Sequence, residues 1–253
     1  MKISIITVAY NSAATIADTL RSVAAQTYPD IEHIVIDGAS TDDTLTVVKA
    51  HGRHVQVLVS ERDHGIYDAM NKGLALASGQ IVGFLNSDDM LADPGAVTRI
   101  AQGFSATTVD AVYGDLVFVD PIDTARVVRY WQPGPYRTGL VPKGWMPPHP
   151  TFYVRRDVLR ANGGFNVDYR LQADFDLMLR LFEIAKIRSN YLPSTLVRMR
   201  IGGATTGSIG NIVRGNLEAA NACRQHGYPG GIGFILGKLA RRVPQFFNRA
   251  PRT

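Results

Sequence analysis

The chain has 253 residues, 45% hydrophobic and 19% charged, enough to bury the core of one large domain or of one domain with an appendage. Its single cysteine, Cys223, excludes an internal disulfide and a cysteine-based zinc cage, and reads as a buried, inert filler. The net charge of +5 belongs to the tail, where no acid follows Glu218 but Arg224, Lys238, Arg241, Arg242, Arg249 and Arg252 do. The rest is near neutral, so a local anionic partner is expected and no nucleic-acid-binding body. The start, Met1-Lys2 and then Ile3-Ser4-Ile5-Ile6-Thr7-Val8, is too short and too β-branched for a signal peptide. No apolar run approaches the roughly 18 residues that span a bilayer, and a cytoplasmic chain is expected.

In chain order, residues 2–8 read as a strand. Residues 12–26 read as a helix with apolar positions at Ile16, Leu20 and Val23. A second strand follows at 31–36, and Ser40 to Asp43 supply a start signal for a helix at 44–50. Residues 55–60 are strand-like, and 66–77 have helical spacing through Met70, Leu74 and Ala77. The apolar run 81–85 ends at Asn86-Ser87-Asp88-Asp89. This alternation predicts an α/β fold with a mainly parallel central sheet and helices on both faces.

The second half is more irregular. Strands are expected at 111–119 and 127–131, around a turn at Pro121-Ile122-Asp123. The Pro- and Gly-rich stretch 133–150 reads as a long functional loop. Helices are expected at 155–161, 171–184 and 211–225, with a strand at 187–192.

In a parallel α/β sheet, ligands gather beyond the carboxyl ends of the strands. Polar groups fall there at residues 7–11, 37–42, 61–63 and 86–89. Asp, Asn and Ser can simply cap the helices that follow, which suffices for Ser40 or Asp93. Capping explains Asp88-Asp89 less well. Two like charges after a buried run repel each other, and a divalent cation would remove that cost.

Four segments occur in order: Ser4-Ile5-Ile6-Thr7-Val8-Ala9-Tyr10-Asn11, Ile36-Asp37-Gly38-Ala39-Ser40-Thr41-Asp42, Gly65-Ile66-Tyr67-Asp68-Ala69-Met70-Asn71-Lys72-Gly73 and Gly83-Phe84-Leu85-Asn86-Ser87-Asp88-Asp89. Together they resemble the family-2 glycosyltransferases of the GT-A fold, inverting enzymes that build bacterial polysaccharides and glycolipids. The Gly65–Asn71 run resembles the colanic-acid-type members in particular. The resemblance covers about residues 2–206.

The resemblance implies roles residue by residue. Thr7, Val8 and Tyr10 would line the nucleotide base, with Tyr10 packing on its face. Asp37 would accept the imide N–H of a uracil or thymine. Asp63 and Asn71 would complete the pocket on the ribose and phosphate side. Asn86 and Asp88 match the ends of the family's Asp-x-Asp motif, with Ser87 between them; the first would touch the ribose and the second hold Mn²⁺ or Mg²⁺. The base that deprotonates the acceptor would be Asp174, in Gln172-Ala173-Asp174-Phe175-Asp176-Leu177, where Ala173 replaces a usual Glu. Asp176 is the rival, better suited to capping or packing. The expected reaction moves a sugar from a nucleotide-sugar donor to a glycan or lipid-linked acceptor. A UDP-sugar is expected first, while dTDP presents the same edge and GDP stays open.

Asn86 in place of Asp keeps a hydrogen-bonding group but removes a charge, and Val8 stands where Pro is common. An active enzyme is expected, and the Asn86 and Ala173 departures leave an inactive nucleotide-sugar-binding paralogue, acting as a partner subunit, as the alternative. His149, in Pro147-Pro148-His149-Pro150, is either an acceptor or phosphate contact or a structural histidine. The segment Arg200-Ile201-Gly202-Gly203-Ala204-Thr205-Thr206 is either a lid or a plain turn.

The stretch 232–247 is amphipathic, with Ile232, Ile235, Leu236, Leu239, Val243 and Phe246 on one face and Lys238, Arg241, Arg242 and Arg249 largely on the other. It either packs on the body with a solvated basic face or meets an anionic membrane surface peripherally, with Pro244 ending or kinking the helix. The division expected is a nucleotide-sugar-binding half at 1–110, an acceptor and catalytic-base half at 111–209, and C-terminal helices with a basic tail at 210–253. A dinucleotide-binding oxidoreductase is disfavoured, because no glycine fingerprint follows the first strand. A P-loop NTPase and a sugar-nucleotide pyrophosphorylase lack their phosphate loops here.

Overall fold

A computed structural model describes residues 1–202, 209–241 and 245. Its first layer is β1 (Ile3–Ala9), α1 (Ile16–Ala24), β2 (Ile31–Asp37), α2 (Thr44–His51), β3 (Val55–Ser60), α3 (Ile66–Leu76) and β4 (Ile81–Phe84). β1 pairs in parallel with β2 on one side and β4 on the other, and β3 adds in parallel to β2. β1 is buried along its whole length, as its unbroken apolar run requires for a strand covered on both faces. β3 is the outermost strand and alternates half-buried with exposed residues.

The order continues from β4 through β8 (Tyr153–Arg155), β6 (Ala111–Val119) and β9 (Ser189–Arg200) to β5 (Met90–Leu91), with β7 (Val127–Trp131) on β6. β8 lies antiparallel between β4 and β6, which joins the parallel half to a mixed one. The junction needs Gly83, because any Cβ there would collide with the buried Tyr153 ring. β9 runs to Arg200, well past the expected end at residue 192. Its register against β6 jumps from Leu192 to Thr195, so Pro193 and Ser194 bulge out of the ladder where a ladder N–H is missing.

Two further differences concern helices. α4 (Ala96–Gly103) and β5 have no counterpart among the sequence expectations, although Ala96, Val97, Ile100 and Gly103 carry a helical stripe that is buried. The helix expected at 171–184 is α-helical only as α6 (Ala173–Leu179) and then widens into a π-turn, Arg180–Ile184. α5 (Arg156–Ala161) precedes it, and α7 (Ile209–Gln225) and α8 (Ile232–Ala240) follow β9.

α8 packs on the body, but not in the expected orientation. Phe234 and Lys238 face inward, whereas Ile232, Leu236 and Leu239 are 77%, 60% and 43% exposed. Lys238 is therefore not on a solvated basic face. Its ammonium turns inward because the side chain of Gln172 offers it an oxygen at 2.8 Å. Arg242, Val243, Pro244, Phe246, Arg249 and Arg252 lie outside the described residues, as does Gly203-Ala204-Thr205-Thr206. No described helix is long and apolar enough to cross a membrane.

Candidate active site

The parallel register puts Ala9, Asp37 and Ser60 side by side, so the ends of β1, β2 and β3 share one edge. Tyr10 leaves β1 there with 64% of its surface exposed, a ring free to stack on a planar ligand. Asn11 and Ala39 adopt the left-handed conformation as the two loops turn. The loops are tied together by Asn11 N donating to Ser40 Oγ at 2.8 Å and Thr41 N donating to Asn11 Oδ1 at 2.9 Å.

Asp37 is fully buried beneath them. Its Oδ2 accepts from Ser40 N at 3.0 Å and Ser60 Oγ at 2.6 Å, and its Oδ1 accepts from Ser40 Oγ. A carboxylate has about four acceptor positions, so these three bonds leave capacity for one more donor. Gly38 forms the floor between the Tyr10 ring and the Asp63 carboxylate, and a Cβ there would collide with Asp63 Oδ2. Asp63 also accepts from Gly65 N at 2.9 Å, which sets the start of α3.

Three expected pocket residues are placed otherwise. Thr7 and Val8 turn their side chains into the core, and Thr7 Oγ1 lies 3.0 Å from Nε2 of the buried His33. They support the pocket from beneath. Asn71 faces Phe165: its Nδ2 donates to Phe165 O at 2.8 Å and its Oδ1 accepts from Phe165 N at 2.9 Å. That pairing uses one donor and one acceptor of the amide, so Asn71 clamps a loop onto α3.

After β4 the chain enters Asn86-Ser87-Asp88-Asp89. Ser87 Oγ lies 2.8 Å from Ser12 Oγ, which ties this cluster to the loop after β1. Asn86 Nδ2 donates to Asp89 Oδ2 at 3.2 Å, but Asn86 Oδ1 and Asp89 Oδ1 are buried without a hydrogen-bond partner. Burial raises the Asp88 carboxyl above its ordinary value. Burial, then the Asp88 charge, pushes Asp89 up much further. Arg200, at the end of β9, donates from Nη1 to the Asp88 carbonyl at 2.7 Å and from Nη2 to Asp18 Oδ2.

Orphaned oxygens and strained carboxylates suit a hard divalent cation. Among the described residues no group of three or more His, Cys, Asp or Glu side chains could hold one alone. A cation at this cluster would therefore need further oxygen ligands from outside the protein's side chains.

Asp174 lies in the first turn of α6, where its Oδ1 accepts from Tyr67 Oη at 3.2 Å and from Phe175 N at 2.8 Å. Tyr67 stacks on Phe165 at 5.6 Å, and Phe165 meets Phe84 edge-on at 5.0 Å. His149 completes this aromatic group, stacked on Phe84 at 5.8 Å, with neither ring nitrogen partnered. Burial lowers its basicity against the opposing pull of Asp174, so the ring is neutral near pH 7. Asp176 is locked between Arg180 Nε and His226 Nε2, both at 2.9 Å, and serves packing.

The sequence reading missed Arg200 as a partner of the Asp88 main chain, Tyr67 as a partner of Asp174, and Ser60 on Asp37. Tyr67 lies inside a quoted motif, but its partner is more than a hundred residues away. Arg200 opens the segment read as a lid or a turn, but its contact with Asp88 lies 112 residues away.

A curled, mostly parallel α/β sheet with an acidic cluster at its strand ends is the architecture of a GT-A glycosyltransferase. The chain belongs to glycosyltransferase family 2, whose pattern it matches over residues 4–161. It is 30% identical over 193 residues to a PGL/p-HBAD biosynthesis glycosyltransferase of Mycobacterium tuberculosis, covering 75% of this chain and 73% of that one. An uncharacterized glycosyltransferase of the same organism is 34% identical over 180 residues, covering 70% and 68%. Among solved structures, S. aureus TarS superposes with a TM-score of 0.68 at 18% identity, covering 96% of this chain and 72% of that one. The mannosyltransferase PcManGT of Pyrobaculum calidifontis, in complex with GDP-Man and Mn²⁺, gives 0.66 at 22% identity, covering 89% and 64%. TarS has also been solved with UDP and with UDP-GlcNAc.

Proposed function

We propose that this glycosyltransferase is an inverting enzyme that moves a sugar from a UDP-sugar to a hydroxyl of a glycan or lipid-linked acceptor. The observation that carries the reading is Asp174. It stands at the mouth of α6 with Tyr67 and its own helix on Oδ1, while Asp176 nearby is held by an ion pair with Arg180 and a hydrogen-bond contact with His226.

Tyr10 packs on the base, and Asp37 uses its remaining acceptor position for the imide N–H. Asp63 faces the ribose side, and Asn86 offers its orphaned Oδ1 to a ribose hydroxyl. Asp88 would hold Mn²⁺ or Mg²⁺, which when bound would offset the charge that develops on the leaving nucleoside diphosphate. Tyr67 fixes Oδ1 of Asp174, so Oδ2 takes the proton as the acceptor oxygen bonds to the anomeric carbon. The bond to the β-phosphate oxygen breaks on the opposite face, which inverts the centre. His149, neutral and unpartnered, is an acceptor or phosphate contact in this scheme.

The outward Ile232, Leu236 and Leu239 of α8, with exposed Arg241 beside them, support peripheral contact with an anionic membrane on its cytoplasmic face. A relative named for PGL/p-HBAD biosynthesis is consistent with a lipid-linked acceptor.

The test is to screen UDP-, dTDP- and GDP-sugars with Mn²⁺ by thermal shift, then assay transfer and read the product anomer by NMR. Asp174→Asn is expected to lower kcat by about 10²–10⁴ while the donor-induced shift persists. Donor binding with no transfer to any acceptor would favour the inactive-paralogue reading, and a retained anomeric configuration would overturn inversion.

A further inference from the structure

The C-terminal helices seat the helix that carries Asp174. Glu218 of α7 accepts from the main-chain N–H of Leu171 at 2.7 Å and of Gln172 at 3.1 Å, just before α6 begins. The side chain of Gln172 is held from the other direction by Lys238 of α8, whose Nζ donates to Oε1 at 2.8 Å. The same ammonium lies 5.7 Å from the Phe175 ring centroid, and Phe234 meets that ring edge-on at 5.4 Å.

α8 also lies against the Val141–Lys143 turn of the long loop, with two glycines letting the backbones approach. A Cβ on Gly144 would sit 2.6 Å from Lys238 Cα, and one on Gly237 would sit 2.8 Å from the Lys143 carbonyl. α8 is thus wedged between the long loop and the first turn of α6.

Lys238 is only 8% exposed. A methionine of similar length would fill the space without the cost of taking an ammonium out of water. What the lysine adds, besides a charge near the Phe175 ring, is a directed bond to Gln172, the residue that precedes α6.

We propose that Lys238 is a positioning residue for Asp174, acting through Gln172. The inference rests on Asp174 being the base. Gln172 is the N-cap of α6, and its carbonyl accepts from Asp176 N at 3.0 Å, so it sets the first turn in which Asp174 sits. Releasing its side chain lets that turn shift, and misplacement of a reacting group by about 1 Å costs up to about 10²-fold in rate.

The experiment compares Lys238→Met, Gln172→Leu and the double variant in the full chain, each with and without Asp174→Asn. Lys238→Met is expected to lower kcat by about 10- to 100-fold. UDP affinity and the donor KM should stay within about twofold. Gln172→Leu, which removes the same bond from its other end and serves should Lys238→Met not fold, should match it, and the double variant should add nothing. In the Asp174→Asn background neither should lower the residual rate further. Normal kcat in folded Lys238→Met, beside an inactive Asp174→Asn, overturns the positioning role and leaves the base intact. Additive losses, or donor affinity falling in step with kcat, reduce Lys238 to a packing group and also overturn it. An active Asp174→Asn instead removes the base assignment on which both rest.

Discussion

The guanidinium of Arg200 holds the main-chain carbonyl of Asp88 at 2.7 Å, across 112 residues of sequence. Arg200 also pairs with Asp18 of α1 and reaches Pro121 O at 3.3 Å, so one buried side chain joins β9, α1 and the acidic cluster. It fixes the main chain of the residue that carries the proposed metal carboxylate. Arg200→Met is expected to weaken Mn²⁺ activation by about 10- to 100-fold, the usual effect of losing a group that orients a ligand. Titration of transfer activity with Mn²⁺ checks this; an unchanged half-saturation point would count against it.

Asn71 gives a second expectation, because its two bonds to Phe165 compete with the sequence-based role at the ribose. Asn71→Ala should lower stability by about 2–4 kcal/mol, from two lost bonds and two stranded backbone groups. It should also lower kcat, since Phe165 underlies Tyr67 and hence Asp174. Urea melts with donor titrations separate the cases. A raised donor KM with unchanged stability would restore the ribose contact.

At the opposite end of the sheet, donors converge on Glu32: Ser4 Oγ and Ser78 Oγ at 2.5 Å, Ser78 N at 2.8 Å and Lys2 Nζ at 3.0 Å. Burial pushes its carboxyl up, but the bonds from Ser4, Ser78 and Lys2 outweigh that and hold the pKa at about 2, against an ordinary 4.5. The folded value lies below the unfolded one, so the stabilisation is complete above about 4.5 and is lost as pH falls toward 2. Glu32→Gln should therefore cost roughly 2–3 kcal/mol at pH 7 and progressively less below pH 4. Denaturant melts at several pH values check this, and a gap independent of pH would refute it.

The parallel half of the fold was legible because β-branched runs and helical stripes are local. β1, β2 and β3 fall within a residue of their expected spans, and the four strand-end segments lie on one edge because strands in register end together. β9 was less legible, since Pro193 is read as a stop and only pairing with β6 shows that the strand bulges and continues. α4 was missed although its stripe was present.

Within the site, motif order and the family resemblance singled out Asp37, Asp88 and Asp174, and only at 86–89 did a buried apolar run followed by acids add a signal of its own. They could not show which acid is committed elsewhere. Asp176 meets His226 fifty residues away, Asn71 meets Phe165, and Lys238 turns inward to Gln172. Hydrophobic periodicity reports only that a helix has two faces. Which face packs, and whether a polar side chain is free for a ligand, depends on partners that three-dimensional packing brings within hydrogen-bond reach. The sequence by itself therefore determined the class of enzyme and the edge of the sheet that carries its site. The tertiary structure alone decided that Asp176 is tied to Arg180 and His226, while Asp174 meets Tyr67 and its own helix.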